Sequence, residues 1–502
     1  MDRKNLTVIA ISDLHYMGLA HGTPLSGRSR GELGRSLLKK VFLRLSHQGV
    51  KPDLVVLLGD LTGGDNSGLA ELDLLTLYGE INRFGFPFLA LRGNHDLPAN
   101  RFNTLFQTPP GLYEFGGYGF VIQEDEYNED GTSFRPEPAL ERFLSLREKN
   151  PDLPLVVLQH PPIFPEIHSD YPYLPINAQR IKKCYEEAGV LLSLSGHYHD
   201  GQPMRRQDGV AYYTVPALCK APFRFSVITL EGEKIEIHEE SLAFDLPYLM
   251  DSHCHTEHAF CRTTADTAEV VALSRAMGVT TLCFTEHAFQ LYFPKKEALS
   301  FKWQSETERV ERAWTDPKRG RMAAFKRFAA AIRSPFVKIG LELDLYGEGK
   351  LLLAPEDREG WDILIGSVHR IRDFVPGVTS QEEAEKLFLR DVEALVSHQI
   401  QVLAHPFRFF IRFNLQRPVH LYGTVADLLK RGGVAAEMNF HSYQPDPEFF
   451  RVCREKGVKI ALGTDTHELA QAGEFWPHIR VLENLGIGTS SFGDNLFRLS
   501  SR

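Results

Sequence analysis

Cysteine is scarce in this chain: six among 502 residues, with no Cys-x-x-Cys pair. That scarcity excludes a disulfide framework, and a reducing cytoplasmic setting is expected. Positive charge is short as well. The 56 Lys and Arg residues stand against 65 Asp and Glu, a net of −9. The balance disfavours broad nucleic-acid or anionic-membrane binding. No apolar run reaches the ~20 residues of a membrane span. Met1 to Ser12 lacks a charged start followed by a long apolar stretch, so no signal peptide is expected. Internal repeats of about 20–50 residues and low-complexity tracts are missing too.

The rest is the composition of an ordinary globular protein, 43% apolar and 24% charged, long enough for more than one core. Phe225 to Ser241 alternates apolar and polar residues around Gly232 and predicts a closing hairpin. Domains are therefore expected over residues 1–244 and 247–502, joined by a link too short and apolar to be a flexible tether. In the first half, apolar runs end repeatedly at a residue able to hold a metal. Val8–Ile11 precede Asp13, Leu54–Leu58 precede Asp60, and Phe88–Leu91 precede Asn94. Leu155–Leu158 precede His160, and Leu191–Leu194 precede His197. Such runs predict strands buried on both faces, with the ligands on the loops that follow.

The second half repeats the arrangement. Seven strand-like runs precede or contain His253, Glu286, Glu342, His369, His405, Glu437 and Asp465, with helical stretches such as Thr267–Met277 and Gln381–Val396 between them. Strand-helix units in series predict a barrel with its site on the carboxyl-terminal face. Pro294 to Ser334 is an excursion rich in Lys, Arg and Trp, either a lid or a solvated insertion. The tail from Gly488 reads as a loosely held terminus.

Two divalent ions about 3.5–4 Å apart need a shared carboxylate, with imidazole and oxygen ligands completing each sphere. In the first half, Asp13, His15 and His199 suit one ion, and Asn94, His160 and His197 the other, with Asp60 between them. His95, next to a ligand, is placed to protonate a leaving alkoxide. The five segments Asp13-Leu-His15, Gly59-Asp60, Gly93-Asn-His-Asp96, His160 and Gly196-His-Tyr-His199 make residues 1–240 resemble the calcineurin-like metallophosphoesterases. The resemblance implies an αββα sandwich of two packed sheets and a pair of Mn, Fe or Zn ions. Gly93-Asn-His-Asp96 and Gln159-His-Pro-Pro162 resemble the branch acting on cyclic nucleotides and small phosphodiesters.

In the second half, His253 and His255 alternate in a strand and point to one side. With Glu342 and Asp465 they suit one ion. Glu342 bridges to another held by His369 and His405, and His287 and His467 remain for a third. Six segments carry a further resemblance: Asp251-Ser-His-Cys-His-Thr256, Phe284-Thr-Glu-His287, Gly340-Leu-Glu-Leu-Asp344, Gly366-Ser-Val-His369, His405-Pro-Phe407 and Gly463-Thr-Asp-Thr-His467. Residues 249–470 thereby resemble a PHP (polymerase and histidinol phosphatase) domain of the histidinol-phosphatase-like branch. This implies a distorted (β/α)7 barrel and a trinuclear site for phosphomonoesters. One position departs from the family, whose third-ion histidine lies eight residues beyond the first. Cys261 stands there, and His258 three residues earlier is the preferred substitute, with Cys261 or a weakly held third ion as the alternatives. Two to three Mn, Fe or Zn ions are thus expected. Arg370, Arg408 and Arg412 follow ligands closely and suit phosphate oxygens, and Arg92 is a weaker candidate.

The expectation is an α/β metallohydrolase with a diesterase-like site followed by a monoesterase-like one, acting in sequence on a small phosphoester, a nucleotide included. Membrane partners are not expected and nucleic acid is disfavoured. The alternatives are an enzyme that trims oligonucleotide ends, or a chain in which one domain is a metal-bound structural or regulatory module.

Overall fold

Every apolar run that ends at a ligand-type residue is a strand, and the strands fall into two separate units, Met1–Ala243 and Phe244–Arg502. The structure, a computed structural model, describes residues 5–18, 29–64, 68–128, 130–261, 266–315 and 320–499. The first unit contains β1 (Leu6–Ile11), β2 (Leu54–Leu58), β3 (Phe88–Leu91), β4 (Gly111–Phe115), β5 (Tyr118–Ile122), β6 (Leu155–Leu158), β7 (Leu192–Ser195), β8 (Gln202–Gln207), β9 (Val210–Thr214), β10 (Arg224–Glu231) and β11 (Lys234–Ser241). They form two sheets, ordered β11-β10-β1-β2-β3 and β8-β9-β7-β6-β5-β4.

Parallel pairing of β1 with β2 and β2 with β3 requires crossovers, which helices Gly34–Gln48 and Gly68–Arg83 provide. One apolar cluster joins the two sheets. Val8, Ala10, Val56 and Leu58 from the first meet Phe120, Ile122, Val156 and Leu194 from the second. Ile9 and Ile11, one position over on β1, are equally buried. The run is therefore continuous rather than alternating, because both faces of the strand are covered. This is the αββα sandwich.

The second unit holds β12 (Met250–Cys254), β13 (Thr281–His287), β14 (Val337–Leu343), β15 (Ile363–Gly366), β16 (Val402–Leu403), β17 (Ala435–Asn439) and β18 (Ile460–Gly463). All seven pair in parallel and in sequence order. The sheet curls until its ends meet, where Cys254 bridges Thr466 and the Asp465 amide donates to the His253 carbonyl at 2.8 Å. The result is a (β/α)7 barrel. It is distorted by the two-residue β16 and by a register shift between Asp251 and Cys254. Six strands contribute to one interior cluster that includes Met250, Cys283, Ile365, Val402, Ala435 and Ala461.

The tail departs from expectation: Leu496 bridges Ile460, and Phe492 and Leu496 are buried, so apolar side chains pin the segment that Gly488 and its serines made look loose. No helix among the described residues is long and apolar enough to cross a membrane.

Candidate metal centres

In the first unit the ligand candidates occupy the turns that leave parallel strands. Asp13 and His15 follow β1, Asp60 follows β2, Asn94 follows β3, His160 follows β6 and His197 follows β7. Four of them adopt left-handed backbone: Asp13 (φ 53°), His15 (45°), Asp60 (51°) and His197 (65°). Each such residue costs about 1–3 kcal/mol, which the surrounding structure must over-determine. Here it does so by hydrogen bonds. The Asp13 amide donates to the Gly59 carbonyl at 3.1 Å and that of His15 to the Asp60 carbonyl at 2.9 Å. Asp96 ties two of the turns together, accepting from the amides of Leu61, Thr62 and Gly93 and from the Thr62 hydroxyl.

The side chains converge on one carboxylate oxygen. Asp60 Oδ2 lies 3.6 Å from His15 Nε2 and 3.2 Å from His160 Nε2. On the first side, His199 Nε2 is 3.1 Å from His15 Nε2 and 3.5 Å from Asp13 Oδ1. On the other, His160 Nε2 is 3.2 Å from both Asn94 Oδ1 and His197 Nδ1. His160 Nδ1 faces the Leu58 carbonyl at 2.7 Å, which accepts its proton and turns Nε2 toward the centre. Asp13 Oδ2 is engaged by the Ser12 hydroxyl and the His197 amide, while Oδ1 is buried without a partner. A buried carboxylate oxygen without a hydrogen bond, with imidazole nitrogens and a second carboxylate converging beside it, fits a divalent cation.

His95 is exposed beside this cluster, its amide donating to Asp60 Oδ1 at 2.9 Å and its ring edge 4.9 Å from that of His15. Sequence reading missed Cys219, whose sulfur groups with the His15 and His199 nitrogens; no metal motif surrounds it.

Burial works against a charge on His160, but Asp60 and Asp13 outweigh it and raise its pKa from 6.5 to about 9. In the ion-free protein this stabilisation is complete below 6.5 and lost as pH rises through about 9. An ion must displace that proton, so loading the first centre at pH 7.5 is expected to release protons and weaken as pH falls. Calorimetric titration in two buffers of different ionisation enthalpy measures this, and identical heats in both would contradict it.

Two glycines of the motifs are explained by close approach. A Cβ on Gly93 would lie on Asp60, and one on Gly463 would lie on Glu437. Gly93→Ala should therefore push Asp60 off the position both halves of the first centre share, costing that centre its ions. Metal content per chain reads this directly; an unchanged count would show that the turn can yield.

In the barrel, Glu342 at the end of β14 is the focus. Its Oε1 is 3.3 Å from His369 Nε2 and 2.9 Å from His405 Nε2, and its Oε2 is 3.4 Å from His253 Nε2 and 2.5 Å from His287 Nδ1. Asp465 Oδ1 lies 3.0 Å from His255 Nε2 and 3.5 Å from His253 Nε2. Outer carboxylates set the imidazoles: His253 Nδ1 meets Glu437 at 2.9 Å and His369 Nδ1 meets Asp344 at 3.1 Å. His255 Nδ1 in turn faces Glu286 at 3.3 Å, and the donor atoms of His255, His287 and His467 lie within 4.8 Å of one another. These atoms too fit divalent cations.

His258 does not join them. Its ring packs on Phe325 and Phe328, with centroids 5.4 and 5.0 Å away, because the turn after His255 carries it toward the helix Arg321–Ile332. The residue brought to the centre is Cys261, whose sulfur is 3.2 Å from His467 Nε2. His441 is a further residue that no motif announces; its ring stacks on that of His467 at 4.3 Å.

A cavity of about 420 Å³ opens over these atoms, lined by His287, His369, His441 and His467 together with Arg408 and Arg412. Arg408 donates to Asp465 Oδ2 at 2.8 Å and reaches His405 Nε2 at 2.6 Å. Arg370 is not among the lining residues: it sits between the rings of Phe301 and Phe413, 5.4 and 5.5 Å away, where the aromatic faces attract its charge. The 294–334 excursion supplies Leu299 and Phe301 to the cavity wall.

Residues 6–201 match the family pattern of the calcineurin-like phosphoesterases and residues 251–441 that of the PHP domain. The chain joins a calcineurin-like phosphoesterase domain to a PHP domain. Both imply divalent metals, and the chain is a metal-dependent phosphatase. A probable histidinol-phosphatase of Deinococcus radiodurans is 25% identical over 265 residues, 49% of this chain and 96% of its own length. A probable phosphatase of Thermoanaerobacter sp. (strain X514) is 22% identical over 251 residues, 48% of this chain and 87% of its own. Among solved structures, a dimetal phosphatase of Danio rerio aligns with TM-score 0.40 and 17% identity over 47% of this chain and 96% of its own.

Proposed function

We propose that the calcineurin-like domain hydrolyses a small phosphodiester at a two-ion centre. The PHP domain then removes the resulting terminal phosphate at a three-ion centre. The observation that carries the multinuclear centres is the sharing of one carboxylate between two groups of donors, by Asp60 in one domain and Glu342 in the other; the order of the two domains supports the succession. In the first centre, Asp13, His15 and His199 would hold one ion and Asn94, His160 and His197 the other, with Asp60 available to both. In the second, His253, His255 and Asp465 would hold one ion, His369 and His405 another, and His287 and His467 a third, around Glu342. Divalent ions in such centres supply Lewis acidity and a water of lowered pKa.

The chain's own residues do the rest. His95, exposed at the rim of the first cluster, delivers a proton to the departing alkoxide. Arg408 and Arg412 at the cavity wall grip the non-reacting phosphate oxygens. Burial, then Arg408, keep His405 neutral and ready to ligate. Phe289, Phe301 and Tyr443 line the remaining space, which suits a small organic phosphomonoester, the class to which histidinol phosphate belongs.

The test is to give the metal-loaded chain a cyclic nucleotide or bis(p-nitrophenyl) phosphate and follow inorganic phosphate. Successive action predicts that His95→Ala and His369→Ala each suppress phosphate release, the second with the monoester accumulating. Release that survives His95→Ala but vanishes with His369→Ala would point to independent sites and sink the succession.

A further inference from the structure

We infer that Tyr171, braced by Tyr173, is a stacking platform for the organic part of the diester. The first centre thereby selects phosphodiesters whose alcohol carries a planar aromatic group such as a nucleobase. The inference rests on the diester reading above and names the substrate class of that site.

Tyr171 stands out by its exposure. At 41% it is the most exposed Phe, Trp or Tyr among the described residues. The ring is not remote from the chemistry. Its centroid lies 5.6 Å from that of His197, which is itself only 7% exposed. An open aromatic face therefore adjoins the donors of the first centre. Tyr171 also feels that centre: after burial, the charge of Asp60 raises the pKa of its hydroxyl.

The platform is built rather than loose. Tyr173 packs on Tyr171 at 4.7 Å and on His197 at 5.5 Å, and Tyr198 meets Tyr173 edge-on at 5.0 Å. The Tyr171 amide donates to the Ser169 hydroxyl at 3.2 Å, and the Tyr173 amide to the Tyr171 carbonyl at 2.9 Å. The segment between β6 and the helix Ala178–Glu187 carries Pro161, Pro162, Pro165, Pro172 and Pro175. Each fixes φ, which lowers the entropy lost in holding the ring in place. A ring held ready takes a flat partner without first having to be ordered.

The same segment shows what the platform does not bind. Residues 161–177 contain no Lys or Arg, and Glu166 and Asp170 are acidic. The segment therefore offers phosphate no cation and a polyanionic strand no track. What it offers is a π-face, on which any nucleobase can stack. An alkyl or glycerol alcohol gains little from such a surface.

Two cyclic diesters test this: adenosine 3′,5′-cyclic phosphate, and methyl riboside 3′,5′-cyclic phosphate with a methoxy group in place of adenine. Consumption of each by the manganese-loaded full chain is followed by phosphorus NMR, which reads the first step whatever the PHP domain does next. The parent chain is expected to prefer the adenine diester through KM. Tyr171→Ala should lower the ratio of the two kcat/KM values at least about tenfold, within the range for a base stacked on an aromatic ring, with kcat for the adenine diester retained. Tyr171→Leu should do the same, since it is apolar but has no flat face. Tyr171→Phe and Tyr171→Trp should keep the preference. Metal content and phosphomonoester turnover report whether each variant is folded.

Equal consumption of both diesters by the parent chain overturns the platform and leaves the diester reading intact. So does equal slowing of both in Tyr171→Ala, which would make the ring a structural cap on His197. A Tyr171→Phe variant as poor as Tyr171→Ala overturns stacking in favour of a role for the hydroxyl. Consumption of neither diester, by a chain with its first centre loaded and its phosphomonoester turnover intact, would show that the diester reading itself has failed and the platform with it.

Discussion

Asp60→Asn is expected to abolish diester hydrolysis by this chain and leave its phosphomonoester hydrolysis unchanged. Asparagine keeps the volume of Asp60, and its oxygen can still accept from the His95 amide as Oδ1 does at 2.9 Å. What it cannot do is present a second oxygen at the point 3.6 Å from His15 Nε2 and 3.2 Å from His160 Nε2. An amide NH2 there repels any cation. The substitution also removes the charge that, against the burial penalty, holds the proton on His160. Both ions of the first centre should be lost together, because the one atom common to both has gone. A fall of at least about 10³-fold, about 4 kcal/mol of barrier, is expected for bis(p-nitrophenyl) phosphate. Elemental analysis should show loss confined to the first centre. Diester turnover within about tenfold of the parent chain would mean that Asp60 is not shared.

The ligand-bearing turns were legible because buried parallel strands write themselves as continuous apolar runs, and a polar residue ending such a run has few other reasons to be there. Val8–Ile11 before Asp13 and Leu54–Leu58 before Asp60 are strands of one sheet, and the turns after them bring both side chains to one point. Less legible was anything set by the path of a loop. His258 and Cys261 are three residues apart, and the spacing from His253 to His287, read as a length change in this loop, favoured the histidine. The turn after β12 instead carries His258 onto Phe325 and Phe328 and leaves Cys261 beside His467.

Partners contributed by another strand were equally hidden. Asp344, two residues beyond Glu342, orients His369 from the neighbouring strand, and His441 reaches His467 because β17 and β18 are neighbours. Arg370 shows the opposite failure. Its place next to His369 suggested phosphate, but the rings of Phe301 and Phe413, distant in sequence, hold it.

Glu342→Gln should damage the second centre more broadly than Asp60→Asn damages the first, since Glu342 faces more partners. Its two oxygens are ringed by His253, His287, His369 and His405, with His255 Nε2 at 3.8 Å. His369, His287 and His253 together overcome the burial penalty and hold its pKa well below the carboxylate range. A glutamine would point an amide NH2 at one group of imidazoles and halve the oxygen supply to the rest. Phosphomonoester hydrolysis is expected to fall at least about 10³-fold, with the first centre's ions and diester turnover untouched.

Stability separates this variant from a purely catalytic lesion. In the ion-free chain, burial opposes a charge on His253, yet Glu437, Asp465 and Glu342 raise its pKa well above 6.5. Removing one carboxylate from so buried a cluster is expected to cost about 3–5 kcal/mol. Divalent ions that bind the folded barrel should raise its unfolding temperature in the parent chain and no longer do so in Glu342→Gln. Thermal unfolding with and without manganese measures both effects. A variant as stable as the parent without metal, and still stabilised by it, would place the shared ligand elsewhere in the barrel. Asp465, which already faces His253 and His255, is the residue to replace next in that event.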